Sequence, residues 1–247
     1  MGLPEIRRAW TELGAADPLW AVLVAPGKRH GGWDEEQFLA TGVAEIDRAL
    51  GWLDRLGLAT GAAPRFGRVL DFGCGAGRLS QALAPHAGEV VGVDVSEPML
   101  ATARRLNTRP NCRFVLNDAT DLAQFETGSF DLVYTSLVLQ HLPRPLIEGY
   151  LAEFHRVLAP GGAAMLQLAT TPRGTLRGLI WRFAPWPLIR VAQRRLLNYP
   201  APMRMTPMPE QRVRALISAA GGTVLDSEPD LTASPDWTCT RYVVTPG

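Results

Sequence analysis

Val69-Leu70-Asp71-Phe72-Gly73-Cys74-Gly75-Ala76-Gly77-Arg78-Leu79 reads as a short buried strand, a glycine-rich turn and the first turn of a helix. Gly73, Gly75 and Gly77 let the backbone turn sharply and come close to a ligand. Leu79, Leu83 and Ala84 continue as an apolar helical stripe. The N-terminus of that helix offers free N–H groups and a positive dipole end to an anion. The spacing is G-x-G-x-G, whereas a dinucleotide turn has G-x-G-x-x-G, and Arg78 fills the slot of the last glycine. Asp71, just before the turn, would repel a pyrophosphate and attract an ammonium group. A ligand with both charges, such as an amino-acid head, fits this turn.

Outward from the turn, strands and helices alternate. Glu89-Val90-Val91-Gly92-Val93-Asp94 is a second apolar run, and a helix follows over Pro98 to Leu106. Cys112 to Leu116 and Phe130 to Tyr134 read as the third and fourth strands. A helix over Pro145 to Leu158, a turn at Pro160-Gly161-Gly162 and a strand over Ala163 to Ala169 complete the series. Alternation of this kind predicts a parallel sheet with helices on both faces. Ligands then bind at the carboxyl ends of the strands, where Asp71, Asp94, Asp118 and Tyr134 fall. An acid at Asp94 can accept both ribose hydroxyls of an adenosyl ligand, or simply cap a helix.

Two regions lie outside the alternation. Before the first strand, Trp33 to Leu58 has helical spacing. Phe38, Val43, Ile46, Leu50 and Leu53 are on one face, Glu45 and Asp47 are on others, and Asp34 is the N-cap. After the fifth strand, residues 172–209 hold seven arginines, several aromatics and no Asp or Glu. Pro185 and Pro187 should break any helix there. Glu210 to Ala220 resumes as a helix stopped by glycines, and Thr223 to Leu225 with Arg241 to Val244 read as an antiparallel edge pair.

The chain of 247 residues, 47% hydrophobic and 20% charged, fits one globular domain with additions. It divides into a helical extension (1–66), a ligand-binding core (67–171), a lid insert (172–209) and a C-terminal helix with edge strands (210–247). A net charge of +1 points to neither nucleic acid nor a membrane field. Cys74, Cys112 and Cys239 are too scattered for a disulfide framework or a zinc site, so a reducing, cytoplasmic compartment is expected. No apolar run has transmembrane length. No His/Cys/carboxylate cluster has metal-ligand spacing, and activity should survive chelation.

Val69 to Leu79, Val90 to Asp94, Phe130 to Pro143 and Arg156-Val157-Leu158-Ala159-Pro160-Gly161-Gly162 together resemble successive motifs of class I S-adenosylmethionine-dependent methyltransferases, type 11 subgroup. The resemblance implies a Rossmann-like, doubly wound, mostly parallel seven-stranded sheet. It implies S-adenosylmethionine as cofactor and methyl transfer, mostly to small molecules, on O, N, C or S atoms; O-methylation is the favoured reading, with a natural product or sugar-containing metabolite among the candidate acceptors. Carried over, Asp71, Gly73, Cys74 and Gly75 would line the methionine part, Asp94 the ribose, and Asp118 and Ala119 the adenine; Gly77, Val95, Asn117, Ser136 and Phe38 are further candidate cofactor contacts, and Met99 can pack against the adenine or simply be core.

His141, beyond the fourth strand, is the candidate base or a loop anchor; Tyr134 could orient the acceptor or pack. His155 reads as structural, and His30 and His86 as surface residues. Trp33, Trp181, Arg182 and Tyr199 are the candidate acceptor contacts, with the insert and the N-terminal segment meeting over the pocket. A helical Gly42 would mark a close backbone approach. Contact of the arginine-rich insert with lipid headgroups stays open, as does the oligomeric state. A nicotinamide oxidoreductase is opposed by Asp71 and the glycine spacing. A nucleic-acid methyltransferase is opposed by the balanced charge; a non-catalytic binder of the cofactor remains an alternative.

Overall fold

The computed structural model describes residues 2–58, 64–230 and 236–247. β1 (Phe66–Phe72), β2 (Ala87–Asp94), β3 (Cys112–Leu116), β4 (Phe130–Thr135), β5 (Leu158–Pro172), β6 (Gly222–Asp230) and β7 (Trp237–Pro246) form one sheet in the order β3-β2-β1-β4-β5-β7-β6. β7 runs antiparallel to both its neighbours, and the other pairings are parallel. Five apolar strands, with helices crossing from β1 to β2, from β2 to β3 and from β4 to β5, can pair in parallel only when both faces are covered. Here α3 (Glu35–Arg55), α4 (Arg78–Leu83) and α5 (Glu97–Leu106) cover one face, and α6 (Arg144–Val157) and α9 (Glu210–Ala219) the other. Val69, Val90 and Leu132 enter the first layer; Leu70, Val91 and Val133 enter the second.

Two helices, α1 (Leu3–Ala16) and α2 (Pro18–Val22), precede this core, and α7 (Leu176–Phe183) and α8 (Trp186–Arg195) make up most of the insert. Pro185 and Pro187 break the insert helix as their chemistry requires. α7 stops at Phe183, and Pro187 falls in the first turn of α8, where its missing N–H costs nothing. The fifth strand is longer than Ala163 to Ala169: its end, Thr171 and Pro172, stays paired with Thr238 and Trp237 of β7.

α3 begins after Asp34, whose side chain accepts from the Gln37 N–H at 2.9 Å, and is closed beyond its Leu56 cap by Gly57, which has a φ of 74°. The phase of this helix differs from the sequence reading. Val43 is exposed, whereas Gly42 and Glu45 lie on the buried stripe with Phe38, Ile46 and Leu53. Gly42 is where α3 meets the backbone of α4: a Cβ there would run into the Arg78 carbonyl oxygen and lie 2.8 Å from its Cγ. Gly42→Ala should therefore cost about 1–3 kcal/mol of stability through overpacking. Gly51→Ala, on the same helix with nothing within 4 Å of the added Cβ, should gain up to about 1 kcal/mol. Guanidinium unfolding of the two variants checks this, and equal midpoints would refute the close approach.

Candidate functional site

The glycine turn builds the floor of the site. Gly73, Gly75 and Gly77 have φ of 74°, 51° and 79°, a region that side chains with a Cβ avoid. The Gly73 and Cys74 N–H groups both donate to the Val93 carbonyl, at 2.8 and 2.9 Å, which ties the turn to β2. A Cβ on Gly73 would strike Val138, and one on Gly75 would come within 2.5 Å of Val22. Those two neighbours belong to the walls of a cavity of about 320 Å³ at the carboxyl ends of β1, β2 and β4. Gly77 sits aside as the left-handed N-cap of α4, facing the Phe114 ring.

Asp94 stands at the end of β2 on this cavity. Its Oδ2 accepts from the Gly75 N–H and its Oδ1 from the Ser96 N–H, each at 2.9 Å. Burial raises its pKa to about 6, against the pull of those N–H groups. Val95, Met99, Asn117 and Ser136 share the same wall.

Several expected residues lie elsewhere, and the pleat explains most of them. Side chains alternate across a strand, so if Phe72 faces the cavity Asp71 must face α4. Asp71 accepts from Ser80 Oγ at 2.6 Å and does not line the cavity. Cys74 is packed beside Leu79 in the core of that same face. Tyr134 points the same way: its hydroxyl donates to Glu45 Oε1 at 3.1 Å, and burial pushes its pKa well above the phenol range. It cannot orient an acceptor. Asp118 is exposed and pairs with Arg7 at 3.1 Å, while the Ala119 carbonyl accepts from Tyr150. Phe38 is sealed against Trp33 and Ala76. Trp33 acts one step away, its indole N–H donating to the Leu23 carbonyl at 3.0 Å. Arg182 is exposed and lies over Phe183.

The walls come from the two additions. Leu3, Ile6 and Trp10 of α1 and Val22 of α2 cover one side. From the insert, Trp181, Gln193, Tyr199 and Met203 cover the other. The insert is fastened at several points. Tyr199 meets Trp20 edge-on at 5.0 Å between centroids, and Arg29 donates to the Leu197 carbonyl at 2.6 Å and to that of Asn198. Gln193 grips both the N–H and the carbonyl of Met203, at 2.9 and 3.1 Å. Trp10, Gln193 and Met203 were missed in the sequence. For Trp10 a signal existed, since Ile6, Trp10 and Leu13 recur at helical spacing.

His141 lines the cavity against the edge of Trp10, with its Nδ1 2.7 Å from the Arg204 carbonyl. A carbonyl only accepts, so Nδ1 carries the proton. Burial lowers the pKa of the ring to about 4, so at neutral pH it is uncharged and Nε2 keeps its lone pair. His155 is remote, beneath Gly221; His30 is exposed and His86 partly so. Among the described residues no group of three or more His, Cys, Asp or Glu could hold a metal ion.

Residues 69–162 match the family model described as methyltransferase domain. A ubiquinone biosynthesis O-methyltransferase of Pseudomonas aeruginosa (strain LESB58) is 33% identical over 140 residues, 56% of this chain and 57% of that protein. A trans-aconitate 2-methyltransferase of Variovorax paradoxus (strain S110) is 35% identical over 134 residues, 52% of this chain and 50% of that one. The chain thus spans about half the length of the curated relatives it matches. In fold it is similar to magnesium protoporphyrin IX methyltransferase from Synechocystis PCC 6803, solved with bound SAH, at a TM-score of 0.63 and 21% identity over 98% of both chains.

The position of Asp71 makes a stability prediction. Burial raises its carboxyl pKa to about 7, partly offset by Ser80. The native state therefore holds a proton that the unfolded chain releases near pH 4, and stability falls as pH rises through that window. Asp71→Asn keeps the Ser80 bond and removes the buried charge. Relative to the native chain it should gain about 2 kcal/mol between pH 5 and pH 8 in guanidinium unfolding. An unchanged difference at the two pH values would refute the assignment.

Proposed function

We propose that this protein is an S-adenosylmethionine-dependent methyltransferase that methylates an acidic hydroxyl on a small, largely apolar molecule. The observation that carries the reading is the one cavity joining the Gly73–Gly75 turn and Asp94 to the unprotonated Nε2 of His141, which the Gln140 side-chain amide approaches at 3.5 Å. The cradle fits the cofactor. The turn is closed to any Cβ at Gly73 and Gly75, and Asp94 presents a carboxylate at the end of β2 where ribose hydroxyls can donate. Asn117 and Met99 supply an amide and an apolar surface farther along for a base. When bound, the cofactor supplies a methyl group on a sulfonium, already activated for transfer.

The protein's own part is to position, to exclude water and to receive a proton. Trp10 and Trp181 wall the cavity against solvent. The Arg204 carbonyl fixes the His141 tautomer, so that Nε2 can take the proton of the acceptor hydroxyl. Burial weakens this base, so only an acidic hydroxyl such as a phenol, its proton loosened as the methyl transfers, would yield a proton to it. The apolar walls favour such a molecule over a sugar-bearing one. The O-methyltransferase names among the relatives point the same way. No helix among the described residues is long and apolar enough to cross a membrane. Buried free thiols at Cys74, Cys112 and Cys239 suit a reducing compartment such as the cytoplasm.

Calorimetry with S-adenosylhomocysteine tests the cofactor half. Asp94→Ala should weaken binding by about 2–3 kcal/mol. Because the Asp94 pKa is raised to about 6, native affinity should also fall as pH drops below about 6, while the variant stays flat. Unchanged affinity in the folded variant would remove Asp94 from the site. Screening phenols by mass shift tests the acceptor half. His141→Gln should lower turnover about 10²–10⁴-fold with cofactor affinity within a few fold, and undiminished turnover would leave His141 as a loop anchor only.

A further inference from the structure

We infer that the outer face of α7 and α8 docks onto an anionic lipid bilayer, so that the acceptor enters the cavity from the membrane surface. On α7, Leu176, Leu179, Ile180 and Phe183 recur at i, i+3, i+4 and i+7, the spacing of a stripe that normally faces a core. All four are exposed, Leu176 by 78% and Phe183 by 74%. Leu188 and Val191 of α8 and the following Leu196 and Leu197 extend the same character. Eight of the eleven large hydrophobics exposed among the described residues lie between 176 and 197. So concentrated a patch is uncommon on a surface that meets only water.

The opposite side of these helices is already spent. Trp181 packs on Trp237 at 5.8 Å between centroids, and Ile189 and Gln193 are buried. The stripe thus cannot turn inward without breaking that anchor. Its charge selects the occupant. Residues 172–209 carry seven arginines and no acid. Among the described residues Arg194 reaches Glu12 at 3.1 Å, but Arg177, Arg182, Arg190 and Arg195 meet no carboxylate at ion-pair distance. A second copy of the chain would set arginine against arginine. A bilayer with anionic headgroups supplies phosphates for the guanidinium forks and hydrocarbon for the leucines. Trp181 and Gln193 line the cavity from the inner side of the same helices, so docking sets the cavity mouth at the lipid surface. The acceptor is then an amphiphile, with its hydroxyl at His141 and its apolar part reaching toward the bilayer. This last step rests on the proposed methyl transfer; the docking itself does not.

Sedimentation of the full chain with vesicles of phosphatidylcholine, alone or with one-third phosphatidylglycerol, tests the inference, with S-adenosylhomocysteine calorimetry on the same samples. Binding should be at least about tenfold tighter to the anionic vesicles and should weaken with salt. Leu176→Ser with Phe183→Ser should lower it by more than about tenfold on either composition. Arg177→Gln, Arg190→Gln and Arg195→Gln together should lower it about hundredfold on the anionic vesicles alone, at about fivefold per arginine. Both variants should keep S-adenosylhomocysteine affinity within about twofold, since none of these side chains lines the cavity. The inference is overturned if the native chain binds S-adenosylhomocysteine yet pellets with neither vesicle. It is overturned too if the chain self-associates through this face, with the serine variant monomeric and no vesicle bound, or if an acidic apolar protein is its sole ligand. Vesicle binding without S-adenosylhomocysteine binding would keep the docking and strike the methyltransferase reading instead.

Discussion

A buried carboxylate, Glu45, joins the separate parts of this molecule. It lies on the inner face of α3 and pairs with Arg78 at 2.9 Å, both side chains being almost fully buried. Tyr134 of β4 donates to it, Arg241 of β7 approaches at 3.4 Å, and Arg241 in turn pairs with Asp230 of β6 at 2.8 Å. Burial alone would raise the Glu45 pKa, but Arg78 and Arg241 hold it below the ordinary carboxylate value. Two acids and two arginines out of water are tolerable only as a complete set. Removing one member of such a set typically costs about 3–5 kcal/mol. The extension, the first residue of the helix after the glycine turn and the antiparallel edge are therefore fixed by one electrostatic requirement.

The same joint explains why the turn is rigid enough to be a floor. Arg78 is the first residue of α4, and its backbone carbonyl lies against Gly42 while its guanidinium is held by Glu45. Above it the glycine N–H groups are tied to Val93 and Asp94. The turn is thus held by α3 on one side and by β2 on the other, and the cavity over it owes its shape to α1, α2 and the insert. A parallel sheet leaves the carboxyl ends of its strands open, and whatever covers them determines which molecules enter. In this chain the cover is mostly apolar within, and apolar with arginine without.

The two raised carboxyls and the lowered imidazole have one cause, burial without a counter-charge in contact. Asp71 and Asp94 hold protons more tightly than usual, and His141 holds its proton less tightly. Asp71 is a structural member of the core under the turn, whereas Asp94 and His141 face the cavity. Their separation into one silent and two accessible groups follows from the pleat of β1 and from where the loop after β4 ends.

By itself the sequence determined the alternation of strands and helices, the parallel sheet with its antiparallel edge, the glycine turn and the importance of the ends of the strands. These are local properties: period-two and period-3.6 patterns, positive-φ glycines, and prolines that stop helices. It also pointed to Gly73, Gly75, Asp94 and His141, because their places follow directly from strand ends. Only the tertiary structure decided which way Asp71, Cys74 and Tyr134 face, that Glu45 is buried and Val43 is not, and that Trp10 rather than Trp33 or Phe38 reaches the cavity. A strand residue's face depends on register, and a one-residue step reverses it. The helix phase was misread because Gly42 and Glu45 do not look apolar: one is buried for lack of a side chain, the other because distant arginines neutralise it. Those partners, at positions 78 and 241, meet position 45 only in the folded chain.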